Sequence, residues 1–250
     1  MKEQIYTIPV NEAYDLDCEC PLCYLERTLE KEAVEYALGA AMMEPDYRVE
    51  SNEKGYCNHH FGQMFRLPNK LSLALVLDTH LEQVRKHLLF HQKEAKRLSS
   101  EKTGFFKKNG VSDFSTALSS SLEQVDSGCM VCEKVQKTMK RYADVLLYMW
   151  ANDPAFKAKF EQSKGVCLPH FKMLVELCTK SLSAKQATEF ITGLYQKELS
   201  ALDRIQEDIH KFTLKFDYRN QSMEWGSAQD APVRTIEKLT GYIHAEEDEK

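Results

Sequence analysis

Apolar residues recur along much of the chain at alternating steps of three and four positions, a spacing that places them on one face of an α-helix. One such stripe consists of Leu73, Leu77, Leu81, Val84, Leu88, His91, Ala95 and Leu98. A second stripe consists of Ile191, Tyr195, Leu199, Leu202, Ile205, Ile209, Phe212 and Phe216. Clean alternation of apolar and polar residues, typical of strands, is hard to find. The pattern predicts an all-α protein in which both stripes pack into helical bundles.

Helix-breaking residues divide the predicted helices into two units. Pro45, Pro68 and Pro154 interrupt the apolar pattern, and residues 99–128 are rich in Ser, Lys and Gly. We expect a first helical unit over residues 1–98, a linker over 99–126, a second helical unit over 127–216 and a C-terminal segment over 217–250. In the last segment, a short amphipathic helix that docks on the body is predicted by Val233, Ile236, Leu239 and Ile243. A frayed acidic end is expected over residues 245–250.

Charge and hydropathy exclude several classes of protein. The formal net charge of −5 gives no basic surface for nucleic acid or for an anionic membrane. No apolar run approaches the roughly 18 residues that a membrane-spanning helix needs, and residues 1–17 lack the hydrophobic segment of a signal peptide. We therefore expect a cytoplasmic protein. In that compartment clustered cysteines stay reduced and more often bind metal than form disulfides.

Six of the eight cysteines and two histidines form two sets with the same spacing. Cys20-x2-Cys23 is followed by Cys57-x2-His60, and Cys129-x2-Cys132 is followed by Cys167-x2-His170. Corresponding members lie 109 or 110 residues apart. The same offset relates neighbouring positions: Pro45 with Pro154, Tyr47 with Phe156, Arg48 with Lys157, Gly55 with Gly165, and Phe61 with Phe171. A repeated Cys3His set with matching neighbours indicates an internal duplication.

Each set matches the donors of a structural zinc site. Three thiolates and one imidazole complete a closed tetrahedron, and two residues between donors let one turn direct both side chains to the same ion. We expect one ion in each half, held by Cys20, Cys23, Cys57 and His60 in the first and by Cys129, Cys132, Cys167 and His170 in the second. Each unit would then be a metal-clamped helical hairpin, and the two pseudo-repeated units would pack together. Gly55 and Gly165 would permit the turns before Cys57 and Cys167.

Zinc, at two ions per chain, is the metal that this donor set favours. An iron–sulfur cluster is the alternative, since thiolates joined by a histidine also ligate iron. Four buried cysteine and histidine side chains per half, without a ligand, are the purely structural alternative. A c-type haem is excluded, because attachment needs C-x-x-C-H and the residues after the CxxC pairs are Tyr24 and Glu133.

Cys18 and His59 are additional donors near the first set. Cys18 is a candidate redox-active thiol beside a metal, or a bystander near the surface. The matching position in the second half is Ser127. His59 is matched by Pro169, which makes His60 the better ligand.

The remaining histidines and Cys178 give no second site. His80, His87 and His91 recur at helical spacing, but a di-iron bundle needs two Glu-x-x-His pairs and the chain has one, Glu207–His210. We interpret these histidines as bundle residues and Cys178 as a core thiol. The sequence has no nucleophile elbow, Gly-rich phosphate loop or H-E-x-x-H motif, so we assign no catalytic residue.

The motifs CPLCYLE, GYCNHHF, CMVC and GVCLPHF, with APVRTIEKLTG near the C-terminus, resemble those of an uncharacterised bacterial family, mostly from Firmicutes. Members of that family carry the same two CxxC…GxCxxHF units, and this chain keeps all eight expected ligands. The resemblance covers nearly the whole chain. It implies a shared architecture and a bacterial origin, and it supplies no reaction.

Two functions of different classes fit these observations. The first is a non-catalytic zinc protein whose helical scaffold binds a protein partner. The second is a redox- or metal-responsive sensor in which the site beside Cys18 opens and loses its ion. An enzyme with a pocket between the two halves has no named residue to support it.

Overall fold

The computed structural model describes residues 4–100, 105–126, 128–220 and 222–243. These residues form eleven α-helices and no β-strand, which confirms the all-α prediction. The helices are α1 (Thr7–Ala13), α2 (Pro21–Leu38), α3 (Pro45–Lys54), α4 (Asn58–Arg66), α5 (Lys70–Ser100), α6 (Phe105–Asp126), α7 (Met130–Asn152), α8 (Pro154–Gln162), α9 (Leu168–Ser181), α10 (Ala184–Lys215) and α11 (Ala231–Thr240). Within the described ranges, every helix is too short or too polar to cross a bilayer.

Helix starts follow from local sequence signals. Pro45 and Pro154 occupy the first positions of α3 and α8, where the missing N–H of proline costs no hydrogen bond. Asp153 caps α8 by accepting hydrogen bonds from two backbone N–H groups. Ser183 and Gln186 form a capping box at the start of α10. The predicted breaks at the prolines are therefore real helix boundaries.

The order of elements repeats along the chain. The helices α2 to α5 and the helices α7 to α10 follow the same order. Each set has a long helix that starts at a CxxC pair, a short helix that starts at proline, a helix that starts at a CxxH pair and a second long helix. This agrees with the proposed duplication. Close superposition of the two halves stays a prediction.

The compact units of the chain differ from the predicted halves. One unit comprises Met1–Leu29 and Gln136–Lys250, and the other comprises Glu30–Val135. We call them the terminal unit and the central unit. Their boundaries fall inside α2 and α7, so the start of each of these helices belongs to one unit and its end to the other.

In the central unit, α5 packs on α3 and on α6. Leu98 lies beside Gly110, and the rings of His91 and Phe114 are 6.2 Å apart, so α5 and α6 run antiparallel. α6 occupies most of the stretch that we expected to be a linker, while residues 101–104 lie outside the described ranges. The Ser- and Lys-rich composition of this stretch led us to predict a linker where the structure has a helix.

The predicted stripe on α5 is only partly buried within the central unit. Leu73 and Leu98 are buried, whereas Leu77, Leu81 and Leu88 are exposed, Leu81 by 66%. The 31-residue α5 is longer than its partners α3, with 10 residues, and α6, with 22 residues. Part of its apolar surface therefore has no cover among the described residues of the unit.

The buried face of α10, in the terminal unit, is rotated from the predicted one. Its buried residues are Ala187, Phe190, Leu194, Glu198, Ala201, Ile205 and Asp208. Of the predicted stripe, Tyr195, Leu199 and Phe216 are exposed. The apolar pattern missed the core face because that face contains two carboxylates, which are normally found at the surface.

The C-terminal helix α11 packs on α9 and α10, as predicted for a docked C-terminal piece. Its Ala231 and Lys238 are buried, and Val233, Ile236 and Leu239 are about half exposed. The expected acidic end, residues 245–250, lies outside the described residues.

Candidate metal centres

The eight predicted ligands come together in two groups, but with a pairing that differs from the predicted one. The Cys20 cluster consists of Cys20, Cys23, Cys167 and His170, all in the terminal unit. The Cys57 cluster consists of Cys57, His60, Cys129 and Cys132, all in the central unit. Each CxxC pair meets the CxxH pair of the other half of the sequence. This corrects our expectation of one site inside each half.

The helices that follow each CxxC pair differ in length. α2 has 18 residues and is about 27 Å long, whereas α3 has 10 residues and is about 15 Å long. The short 3-10 turn Ala40–Met43 lies between them. α7, with 23 residues, is likewise followed by the shorter α8, with 9 residues. A short second helix does not by itself bring a CxxH pair level with the CxxC pair of the same half, which is consistent with the crossed pairing.

The CxxC pairs lie at the first turns of α2 and α7. The backbone N–H of Cys23 points to Sγ of Cys20 at 3.4 Å, and that of Cys132 points to Sγ of Cys129 at 3.5 Å. Both sulfurs of a pair thus lie on the same side of the helix start. Positive partial charge at a helix N-terminus also favours thiolates there.

The CxxH pairs lie at the starts of α4 and α9. Cys57 and Cys167 are the N-cap residues, with nearly equal backbone angles, φ −70° and ψ 165° for the first and φ −71° and ψ 160° for the second. Two residues earlier, Gly55 has φ 65° and Gly165 has φ 92°. These angles disfavour any residue with a Cβ, as predicted for the two turns.

Close contacts also restrict both turns to glycine. A Cβ on Gly55 would lie 2.5 Å from the ring of His80, and a Cβ on Gly165 would collide with the carboxylate of Glu198. Each CxxH turn therefore packs directly against a polar side chain of the following long helix, α5 or α10.

The distances between donors in the Cys20 cluster fit tetrahedral coordination of a single ion. Sγ of Cys23 lies 3.4 Å from Sγ of Cys167, and Nδ1 of His170 lies 3.1 Å from Cys167 and 3.5 Å from Cys20 and Cys23. Zinc–ligand bonds of about 2.3 Å to sulfur and 2.0–2.1 Å to nitrogen imply tetrahedral edges of about 3.8 Å and 3.6 Å. The donors therefore fit around one such ion with shifts of a few tenths of an ångström.

The Cys57 cluster has similar dimensions. Sγ of Cys57 lies 3.9 Å from Sγ of Cys132. Nδ1 of His60 lies 3.1 Å from Cys57, 3.2 Å from Cys129 and 3.5 Å from Cys132. These distances again match the edges of one tetrahedron.

Both histidines direct Nδ1 to the sulfurs and Nε2 to a glutamate on α2. Nε2 of His60 is 2.9 Å from Oε1 of Glu30, and Nε2 of His170 is 3.5 Å from Oε2 of Glu26. A carboxylate on the far ring nitrogen fixes the orientation of a ligating histidine and raises its basicity. Burial lowers the pKa of His60, but its hydrogen bonds with Cys129 and Glu30 outweigh burial and raise that pKa to about 10.

Neighbouring thiols in each cluster strongly shift one another's pKa. Hydrogen bonds with Cys20 and Cys23 lower the pKa of Cys167 to about 4, while the hydrogen bonds with Cys167 and Cys20 raise the pKa of Cys23. Burial and the charge of Cys129 likewise raise the pKa of Cys132. Thiols this close resist ionising together, and a bound cation would relieve their mutual repulsion.

The two clusters differ in exposure. All four donors of the Cys20 cluster are buried, with Cys167 at 0% exposure. In the Cys57 cluster, Cys57 and Cys132 are half-buried. A cavity of about 550 Å³ in the central unit is lined by Cys57, and also by His80 and Glu123.

Buried ion pairs support the Cys20 cluster. Nζ of Lys238, 1% exposed, donates to Oε2 of Glu198 at 2.5 Å and to the carbonyl oxygen of Val166 at 2.7 Å. Oε1 of Glu198 accepts from the N–H of Val166 at 2.7 Å. Because Val166 directly precedes Cys167, α10 and α11 together fix the CxxH turn.

A second ion-pair network fixes the CxxC end of the same cluster. The carboxylate of Glu19, directly before Cys20, pairs with Arg204 at 2.5 Å and with Arg234 at 3.5 Å. Arg234 also pairs with Asp208 at 3.0 Å. Arg234 and Lys238 are one helical turn apart, so α11 holds both ends of the Cys20 cluster.

The two additional donors that we expected together lie at different clusters. Cys18 precedes the Cys20 cluster and is half-buried, and burial together with Cys20 raises its pKa to about 11. Nε2 of His59 lies 3.2 Å from Oε1 of Glu30, beside the Cys57 cluster. Gln63 donates to Oε2 of Glu30 at 3.0 Å. Glu30, His59 and His60 thus form a further group of possible donors that shares His60 with the Cys57 cluster.

The remaining candidates take structural places. Nδ1 of His80 lies 2.8 Å from the carbonyl oxygen of Asn52, His87 is exposed, and His91 packs on Phe114. Cys178 is fully buried, which confirms that it is a core thiol.

Sequence reasoning missed the supporting residues Glu26, Glu30, Glu198 and Lys238. The glutamates on α2 follow Cys23 at steps of three and four, which places them on its side of the helix. That spacing was a usable signal. Glu198 and Lys238 gave none, because a local pattern does not show which distant charges meet.

The profile of a family described as "Family of unknown function (DUF6062)" matches residues 1–246, so the chain belongs to that family. A similar relative is the "Uncharacterized 23.9 kDa protein in xynA 3'region" of Caldicellulosiruptor sp. (strain Rt8B.4). The two are 32% identical over 92 residues, which is 37% of this chain and 42% of the relative. The match thus spans less than half of the relative's length. No solved structure matches the chain significantly.

Proposed function

We propose that this member of the DUF6062 family is a non-catalytic zinc protein whose two Cys3His sites stabilise a helical scaffold. The observation that carries the proposal is the assembly of all eight donors into two groups, each within 4.8 Å. Residues far apart in sequence supply each group. A bound ion would thus join distant segments of the chain, and its binding energy would contribute to folding.

Cluster size favours one zinc ion over an iron–sulfur cluster. The protein ligands of an iron–sulfur cluster are divided among two or more iron atoms, so ligands on different irons lie further apart than the edge of a tetrahedron around one ion, whereas here all four donors of a group lie within 4.8 Å of one another. Here the sulfur–sulfur distances are 3.4 Å between Cys23 and Cys167 and 3.9 Å between Cys57 and Cys132. Closed coordination by four protein donors is typical of structural zinc and leaves no position for a substrate.

A protein partner is the ligand that we propose for the scaffold. The exposed row of Leu77, Leu81 and Leu88 on α5 supports this, since exposed apolar surface on a helix often marks a protein contact. We place the protein in the cytoplasm. All eight cysteines are free thiols, as a reducing compartment would keep them.

Elemental analysis of the purified full-length protein tests the zinc assignment. We expect two zinc ions per chain, one for each four-donor cluster, and no visible absorption, because Zn2+ has a filled d shell. A brown protein that contains iron and acid-labile sulfide would show that an iron–sulfur cluster is bound instead of zinc. Protein that contains no metal and gains none on addition of Zn2+ would contradict the proposal.

A further inference from the structure

The two clusters have the same donors and different surroundings, and this difference points to different chemistry. We propose that the Cys57 cluster is a modification site for small hydroperoxides. Cys57 and Cys132 are oxidised there to a disulfide, and the ion of this cluster is lost while the ion of the Cys20 cluster stays bound. The inference rests on the proposed zinc binding and adds a reactivity to one of the two sites.

An oxidant has a route to the Cys57 cluster. In the Cys57 cluster the residues Cys57 and Cys132 are both half-buried, and Cys57 lines the cavity of about 550 Å³. Asn58, His80 and Glu123 contribute polar groups to the wall of this cavity, which also contains Leu122 and Val125. A small polar oxidant can therefore reach a sulfur. Oxidation of cysteine follows exposure and thiolate character, and both are present when the thiols bind metal.

Protection of the other cluster is the second argument. The residue before Cys167 is Val166, whose backbone is covered by the buried Glu198–Lys238 pair. The matching residue before Cys57 is Tyr56, which itself lines the cavity. All four donors are thus enclosed in the terminal unit, whereas in the central unit the donor Cys57 lines a cavity.

Proximity of the two exposed sulfurs is the third argument. They are 3.9 Å apart, and a disulfide bond of about 2.05 Å needs them to approach by roughly 1.9 Å. Cys57 is at the N-cap of α4 and Cys132 is in the first turn of α7, where small backbone shifts are possible once no ion holds them.

The proposed reaction is balanced by one hydroperoxide. The Cys57 thiolate attacks the terminal oxygen of the hydroperoxide, the O–O bond breaks, and Cys57 becomes a sulfenic acid. The other oxygen leaves as hydroxide, or as alkoxide from an organic hydroperoxide, and is protonated. The Cys132 thiolate then attacks Sγ of Cys57, forms the disulfide and displaces a second hydroxide, which is also protonated. The two sulfurs together give two electrons to the peroxide. Cys129 and His60 remain as two donors, too few to retain the ion.

The test treats the zinc-loaded full chain with hydrogen peroxide and follows zinc release with a colorimetric chelator. We expect one zinc ion per chain to leave first, together with a Cys57–Cys132 disulfide in peptide mass spectrometry. Simultaneous loss from both clusters, or any other first disulfide, would overturn the inference. If the purified protein holds no zinc, the proposed function fails instead, so the two failures are distinguishable.

A pair of variants on α6 tests access without changing any donor. Ser119 and Ser120 are both exposed, but only Ser119 lines the cavity. Ser119→Trp should narrow the cavity and slow the first release of zinc, while the matched Ser120→Trp should release zinc at the wild-type rate. Equal rates in the two variants would show that the cavity is not the route and would overturn the proposal.

Discussion

At the scale of single residues, the geometry of both clusters depends on side chains that are not themselves donors. Glu30 and Glu26 each face the far nitrogen of a cluster histidine, and Gly55 and Gly165 make the turns that aim the CxxH pairs. Motif recognition finds the donors. The residues that orient them are found from contacts, and each makes a separate prediction.

Substitution of Glu30 should weaken one cluster only. In Glu30→Gln the charge that faces Nε2 of His60 is lost, and loss of such a partner typically lowers metal affinity about 10–100-fold. Competition with a chelator of known affinity should show this loss at the Cys57 cluster and none at the Cys20 cluster. Glu35→Gln, at an exposed position on the same helix, is the control. Equal affinities for Glu30→Gln and wild type would contradict the role of this carboxylate.

Substitution by alanine should change the free energy of unfolding in opposite directions at two glycines of the terminal unit. Gly165→Ala forces a Cβ onto a residue with φ 92° and against Glu198, which should cost about 2–4 kcal/mol of the free energy of unfolding. Gly193→Ala is in the middle of α10, where a Cβ meets nothing within 4 Å, and should stabilise the protein by about 0.5–1 kcal/mol. Urea denaturation measures both changes. Equal stability of Gly165→Ala and Gly193→Ala would contradict the requirement for glycine in this CxxH turn.

At the scale of elements, the pairing of helix starts and the docking of α11 define the clusters. The long α2 and α7 are each followed by a shorter helix, and each CxxC pair meets the CxxH pair of the other half. The short helix α11 then fixes the Cys20 cluster through Arg234 and Lys238. We therefore expect α11 to matter more for stability than its ten residues suggest.

Replacement of Lys238 should leave Glu198 buried without its partner. Breaking a buried ion pair on one side typically costs about 3–5 kcal/mol, which Lys238→Met should show in urea denaturation. Burial already raises the pKa of Glu198, and Lys238 opposes that rise. The deficit relative to wild type should therefore be smallest at acidic pH, where the carboxyl is protonated, and should grow as the pH rises.

A double variant controls for the loss of the lysine stem. In Lys238→Met with Glu198→Gln, the amide oxygen still accepts from the N–H of Val166 and no charge is buried. This variant should be more stable than Lys238→Met alone. If the two have the same stability at neutral pH, the uncompensated charge is not the cause of the deficit.

At the scale of the whole molecule, the sequence predicted the class of fold and the set of donors better than their arrangement. The 109- and 110-residue offsets identified all eight residues that the structure brings together in two clusters, and the glycine turns were predicted correctly. The pairing was missed because equal spacing within each half does not show which CxxH pair a CxxC pair meets in space. The core face of α10 was missed because Glu198 and Asp208 are buried by distant partners that no local pattern reveals.

The crossed pairing of donors is the central claim, and zinc content in two double variants tests it most directly. Cys23→Ser with Cys167→Ser removes two donors from one cluster if the pairing is crossed, and one donor from each site if it is not. Cys23→Ser with Cys57→Ser does the reverse. We predict one zinc ion per chain in the first double variant and none tightly bound in the second, measured by elemental analysis after dialysis against a weak chelator. No zinc in the first variant and one ion in the second would contradict the structure of both metal centres.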